Sequence, residues 1–280
     1  MKFTAKRLLA TLLTGALLMT FTACSEKETA SEKPADETEA QVLKVGASPS
    51  PHAEILEFVK PALAEKGIDL QIKIFTDYIL PNNALDSGDI DANFFQHKPY
   101  LDNFNEKNGT DLSSAAAIHF EPLGIYPGKT ATLEEIQDGA VIAVPNDTTN
   151  EARALQLLVA LGLIEMDKDA GLEATPHDIT SNPKNLEIME IEAAQVPRTL
   201  PDVDFGVING NYALAAEVNE TVLETEASDS EGAKQYANII AVKTGNEDNE
   251  LIKALIEALE TEDVKNFMNE KYGVTVVPVF

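Results

Sequence analysis

The sequence predicts an α/β protein, and three features carry that prediction. Short apolar runs rich in β-branched residues alternate with helical patterns from Gln41 to the C-terminus, the signature of parallel strands joined through helices. The helical segments are amphipathic: across 249–259, Leu251, Ile252, Leu255, Ile256 and Leu259 form one apolar stripe opposite Glu and Lys. Close to 240 residues follow position 40, about enough for one large or two medium α/β domains.

In chain order, strands are expected at 42–45, 71–75, 115–118, 123–126, 141–144, 186–191, 205–208 and 239–242. A helix fills 52–66 and stops at Gly67, the residue type that closes a helix in a left-handed conformation. Further helices fill 98–107, 148–161, 212–217, 249–259 and 262–271. Thr148 with Glu151 three residues later has the form of a capping box, so a helix starts just after the strand ending at Val144. No internal repeat is visible, and the acidic stretch 220–232 reads as a wet loop or frayed helix.

The N-terminal residues belong to none of this. Lys2, Lys6 and Arg7 precede an apolar run over 8–21 and then Thr22-Ala23-Cys24, the layout of a secretory signal. That run is too short for a spanning helix. Residues 1–23 are therefore expected to be cut away, leaving Cys24, the single cysteine, as a lipidated N-terminus. Residues 24–40 carry no large apolar side chain and are expected to form a disordered acidic tether. The mature chain would then be extracytoplasmic, in the cell envelope, held to the membrane by lipid on Cys24.

Charge narrows the partners. The chain has 47 acidic and 21 basic residues, and losing Lys2, Lys6 and Arg7 with the signal takes the formal charge from −26 to −29. Such a surface repels nucleic acid and anionic lipid headgroups, so attachment must come from the lipid chains. Catalysis finds no support either: there is no GxSxG elbow, no Gly-rich phosphate loop and no nucleophilic cysteine. His52, His97, His119 and His177 are far apart in sequence, without metal-ligand spacing, so no metal and no cofactor are expected.

What the chain concentrates at predicted strand ends is aromatic and amide side chains, where ligands of open α/β sheets bind. Phe75-Thr76-Asp77-Tyr78 closes one strand, and Asn93 to Tyr100 joins a strand to a helix. Tyr78, Phe95, His97 and Tyr100 could wall a pocket suited to an apolar, sulfur-bearing side chain, or could be core residues and a satisfied loop histidine. Arg153, one turn into the helix after Val144, could clamp a carboxylate through two parallel bonds, or pair with a local acid. Asn209 and Asn238 each offer donors and an acceptor to a zwitterion; equally, they could cap a helix and close a turn.

The segments Phe75-Thr76-Asp77-Tyr78, Phe95-Gln96-His97-Lys98-Pro99-Tyr100, Leu123 to Lys129, Pro145-Asn146-Asp147, Ala193 to Arg198 and Asp202 to Phe205 together resemble the NlpA-type methionine-binding lipoproteins. The likeness runs in order from Leu43 to the C-terminus. It implies a periplasmic-binding-protein-like (type II) fold: lobe 1 from 41–122 and 239–280, lobe 2 from 123–238, two crossovers near 121–125 and 237–241, and a cleft between. It also implies methionine as ligand, with Arg153, Asn209 and Asn238 on its backbone groups and Tyr78, Phe95, His97 and Tyr100 around its thioether. The implied partners are a membrane permease and its ATPase, and the implied state is a monomer. D-methionine, a methionine-containing dipeptide, or a surface-interaction role remain the alternatives.

Overall fold

The computed structural model describes residues 40–227 and 235–280; the signal, Cys24, the tether up to position 39 and part of the acidic stretch lie outside the described residues. Two sheets organise the chain. Sheet 1 takes its first strands from β1 (Gln41–Ala47), β2 (Ile68–Ile74), β3 (Ala92–His97) and β4 (Leu112–Phe120). Sheet 2 is built from β5 (Gly124–Pro127), β6 (Val141–Pro145), β9 (Glu187–Ile191), β10 (Phe205–Ile208) and β11 (Glu224–Thr225), while β7 (Glu165–Met166) and β8 (Ile179–Ser181) form a separate antiparallel pair. The chain then returns to sheet 1 with β12 (Asn238–Lys243) and β13 (Val277–Pro278), giving the orders β13-β4-β12-β3-β1-β2 and β11-β5-β10-β6-β9.

Each sheet is covered by helices on both faces. Sheet 1 packs Leu43 and Val45 against α1 (Glu54–Glu65) and, near the C-terminus, α7 (Glu250–Leu259) and α8 (Glu262–Tyr272). The expected stripe of the helix at 250–259 points inward through Ile252, Leu255 and Leu259. On the other face Leu85 of α2 (Leu80–Ser87) and Leu101 of α3 (Lys98–Asn108) meet Ile239 and Ala241. Sheet 2 buries Ile142, Val144 and Phe205 under Leu155 and Leu158 of α4 (Thr148–Ala160). Its opposite face meets Val196 of α5 (Val196–Thr199) and Ala213 of α6 (Gly210–Ala215). Two separate apolar cores make two lobes.

Several expectations are corrected. The sheets are mixed, not parallel: β12 runs antiparallel to β3 and β4, and β5 antiparallel to β10. These reversals fall where the chain changes sheet, across 121–123 and again between Thr225 and Asn238. The segment 237–241 is thus not a crossover, since Asn238 already pairs with His97 and His119 in sheet 1. Strand β2 ends at Ile74, before Phe75, and α1 starts at Glu54 behind a kinked turn over Pro49–Ala53. Strand β3 was not expected because half of Ala-Asn-Phe-Phe-Gln-His is polar; all six residues are nevertheless buried. Asn82 of α2 resolves the conflict, exchanging hydrogen bonds of 2.7–2.9 Å with Asn93 and Gln96. The cap of α4 is Asp147, whose carboxylate accepts the Asn150 N–H at 3.1 Å, instead of Thr148; a carboxylate there also complements the helix dipole. Gly67 follows α1 with φ +76°, as its position predicts.

Candidate ligand-binding site

The carboxyl ends of β3, β6 and β10 face one another across the two lobes, and the residues just beyond them converge. One cavity is lined by Tyr78, Phe95, Gln96, His97, Tyr100 and Asn238 from lobe 1, by Asn150, Arg153, Gly210 and Asn211 from lobe 2, and by Glu121 on the first crossing. Six of the seven sequence candidates line it. Asn209 stands one layer behind, because its amide is turned to Asn150 Oδ1, to which it donates at 2.8 Å. A larger, more open groove of about 510 Å³ lies beside it, but its charged walls, Lys98, Asp102 and Glu106, belong to the outer face of α3.

Lobe 1 supplies rings. The Tyr78 centroid lies 5.7 Å from Phe95, 5.6 Å from Tyr100 and 4.9 Å from Tyr212, with tilted or edge-on planes. Such packing leaves apolar, polarisable edges turned to the cavity, where a thioether is well accommodated. The phenols are used structurally: Tyr100 donates to the Tyr78 carbonyl at 3.1 Å, and Tyr78 donates across the lobes to Asn211 Oδ1 at 2.5 Å. Burial pushes the Tyr78, Tyr100 and Tyr212 hydroxyls upward, so all three remain protonated donors.

His97 is the N-cap of α3. Its Nδ1 accepts the Tyr100 N–H at 3.2 Å, so in the neutral ring the proton sits on Nε2 and is donated to Asn150 Oδ1, also at 3.2 Å. Burial, and then the Arg153 charge, lower its pKa to about 3, which keeps the ring neutral. Asn150 thereby ties His97 of one lobe to Asn209 of the other, and its own amide is held by Asp147 at 2.9 and 3.1 Å. Asn209 Oδ1 is buried without a hydrogen-bond partner among the described residues.

Arg153 pairs with an acid of the chain, the second of its two sequence readings. Its guanidinium lines the cavity, but the paired edge expected to clamp a ligand is taken by an acid: Nε reaches Glu226 at 2.8 and 2.9 Å, and Nη2 reaches it at 2.6 Å. Nη2 also donates to the Glu121 carbonyl at 2.8 Å, and Glu226 in turn accepts the Leu123 N–H at 2.9 Å. The guanidinium therefore fastens both crossing segments, packed 4.6 Å from the centroid of Tyr236 and 5.4 Å from that of Phe120. Glu226 falls in the stretch read as wet surface; the structure puts it on a buried cation instead. Among the described residues Nη1 makes no hydrogen bond, and it is what Arg153 retains for the cavity.

The statement that the histidines lie far apart holds along the chain and fails in space. His52 and His119 rings are 4.9 Å apart and flank Glu121, and the three offer ligand atoms within 4.8 Å of one another, a set able to hold a metal ion. His119 Nε2 is hydrogen-bonded to Glu121 Oε1 at 2.7 Å, and His52 Nε2 lies 3.3 Å from the same oxygen. His52 Nε2 is also 3.1 Å from Asn238 Oδ1 and its Nδ1 is 2.6 Å from Ser48 Oγ, which fixes the Nε2–H tautomer with Ser48 as donor. Burial lowers His52 to about 4 and His119 to about 3, so both rings are neutral, His119 donating to Glu121 and His52 to Asn238. Glu121, Asn211 and Glu226 are the site residues the sequence did not reveal; each has a partner distant along the chain, in His52, Tyr78 and Arg153.

A family model described as NlpA lipoprotein matches residues 43–280, most of the chain. The chain belongs to that family. The methionine-binding lipoprotein MetQ of Bacillus subtilis is 39% identical to it over 279 residues, covering 96% of this chain and 98% of that protein. Among solved structures, a lipoprotein of Ruminococcus gnavus shares 52% identity with a TM-score of 0.84, covering 86% of this chain and all of that one. A nutrient-binding protein of Burkholderia cenocepacia bound to methionine shares 41% identity with a TM-score of 0.80, over 85% of this chain and all of that one. The chain thus has the two-lobed fold of the family's substrate-binding lipoproteins. Among the described residues no helix is long and apolar enough to cross a membrane.

Proposed function

We infer that this NlpA-family chain is an extracytoplasmic binding protein that captures methionine between its lobes and delivers it to an ABC-type permease. The observation that carries this reading is convergence: Tyr78, Phe95, His97, Tyr100, Arg153 and Asn238, chosen from sequence, line one interlobe cavity in a protein 41% identical to one bound to methionine. In this reading the ring wall takes the thioether, and the Nη1 side of Arg153 takes the α-carboxylate, with Asn238 at the polar end and Asn209 supporting it from behind through Asn150. Because both lobes contribute, a bound ligand favours the closed state, which the permease and its ATPase would recognise. The chain acts as a monomer without catalysis, tethered by lipid on Cys24, whose acylation intact-mass measurement of membrane-extracted protein would reveal.

Thermal unfolding with a panel of amino acids tests the ligand. A ligand at one hundred times its Kd adds about 2.7 kcal/mol, enough to read as a clear shift. L-methionine is expected to stabilise, with D-methionine and a methionyl dipeptide as the arms that refine the choice. Equal shifts from all amino acids, or none from any, would contradict the reading.

A further inference from the structure

We propose that Glu121 is the receptor for the ligand's α-ammonium, and that His52 and His119 are positioning residues that fix its carboxylate. The proposal rests on the cavity taking an amino acid, and it adds which group reads the amine. The first argument is charge. Arg153 and Glu121 are the basic and acidic side chains lining the cavity, and the Arg153 charge is already matched by Glu226 through three N–H···O contacts. Among the described residues no cation is hydrogen-bonded to the Glu121 carboxyl group: His119 Nε2 is bonded to it at 2.7 Å, His52 Nε2 lies 3.3 Å away, the Asn211 backbone N–H adds a neutral contact, and Arg153, close enough to act on it through its charge, is bonded only to its carbonyl. Ionising a carboxyl group buried to 5% exposure is costly, and an ammonium placed in the adjoining cavity would offset that cost.

The second argument is geometry. His119 Nε2 and His52 Nε2 both lie near Oε1, at 2.7 and 3.3 Å, while Oε2 lies beside Gly210. A Cβ built on Gly210 would lie 2.8 Å from Glu121 Cβ and 2.9 Å from Oε2, so any larger residue would displace the carboxylate. His52 is itself fastened by Ser48 and by Asn238, which also lines the cavity. A three-point cradle with a glycine gap is how an acceptor is aimed. The amides assigned to the ammonium from sequence are instead engaged with Asn150 and His52.

Isothermal titration of the full-length protein with L-methionine and N-acetyl-L-methionine tests this without altering the protein. Removing the cation should weaken binding by about 30-fold or more, the cost of leaving a buried charge unpaired. Glu121→Gln should lower L-methionine affinity by a similar factor while changing N-acetyl-L-methionine little. His119→Gln should shrink the ratio between the two ligands, a readout that a purely structural role would not move. Equal affinity of the wild type for both ligands would overturn the proposal while leaving methionine capture standing; no binding of L-methionine removes both. Tight Zn²⁺ binding that His119→Gln abolishes would also overturn it, by assigning the three side chains to an ion.

Discussion

Lobe 1 gives the cavity most of its rings, with Tyr78 and His97 each donating one hydrogen bond across to lobe 2, whereas lobe 2 gives it a network that reaches outward to both crossing segments. A ring wall tolerates loss of one member because the others still exclude water. A network with Arg153 at its centre does not, because every removed partner strands another buried polar group. The two lobes therefore contribute selectivity and closure respectively, and substitutions on the two sides should differ in kind as well as in size.

The largest effect is expected from Arg153→Ala. It removes the Nη1 donor to the ligand and leaves Glu226 and the Glu121 carbonyl unpaired, so methionine affinity should fall by about 10³-fold and stability by about 3 kcal/mol, read by titration calorimetry and urea unfolding. On the ring side, Phe95→Ala should cost affinity by about 10-fold to 100-fold, and stability by about 3 kcal/mol because Phe95 is 3% exposed. If Phe95→Ala impaired binding more than Arg153→Ala, the division between the lobes would be reversed.

Acid sharpens the same contrast through His97. Its native pKa of about 3 lies below the unfolded value near 6.5, so between those values the unfolded chain binds a proton that the native chain refuses. That contribution to stability is present above pH 6.5 and is lost as pH falls. Glu121, Asp147 and Glu151, all raised mainly by burial, act with the opposite sign over part of the range, so the total profile mixes both. The difference between wild type and His97→Asn, which retains a capping oxygen, isolates the histidine: it should shrink by about 1.4 kcal/mol per pH unit from pH 6 to 4.5. The smallest effect is expected from Tyr100→Phe, which loses only the bond to the Tyr78 carbonyl and should change methionine affinity by less than about 5-fold.

Strands such as Phe205–Ile208 and the stripe of the helix at 250–259 were legible because their apolar periodicity is the same in sequence and in space. Strand β3 was not, since Asn93, Gln96 and His97 disguise it and their partners lie elsewhere in the chain. The same distinction divides the site. Aromatic and amide residues at strand ends are visible locally, and so is an arginine at a helix start. Glu121 is not, because its significance depends on His52, 69 positions earlier, and Glu226 looked like one acid among 47. A charge becomes informative only when its burial and its partner are known.

The most direct test of the account is crystallographic. Selenomethionine, offered as free ligand to protein carrying ordinary methionine, should give one strong anomalous peak among Tyr78, Phe95 and Tyr100, with its carboxylate at Arg153 and its ammonium toward Glu121. A selenium peak outside the interlobe cavity, or a ligand reversed within it, would contradict the account.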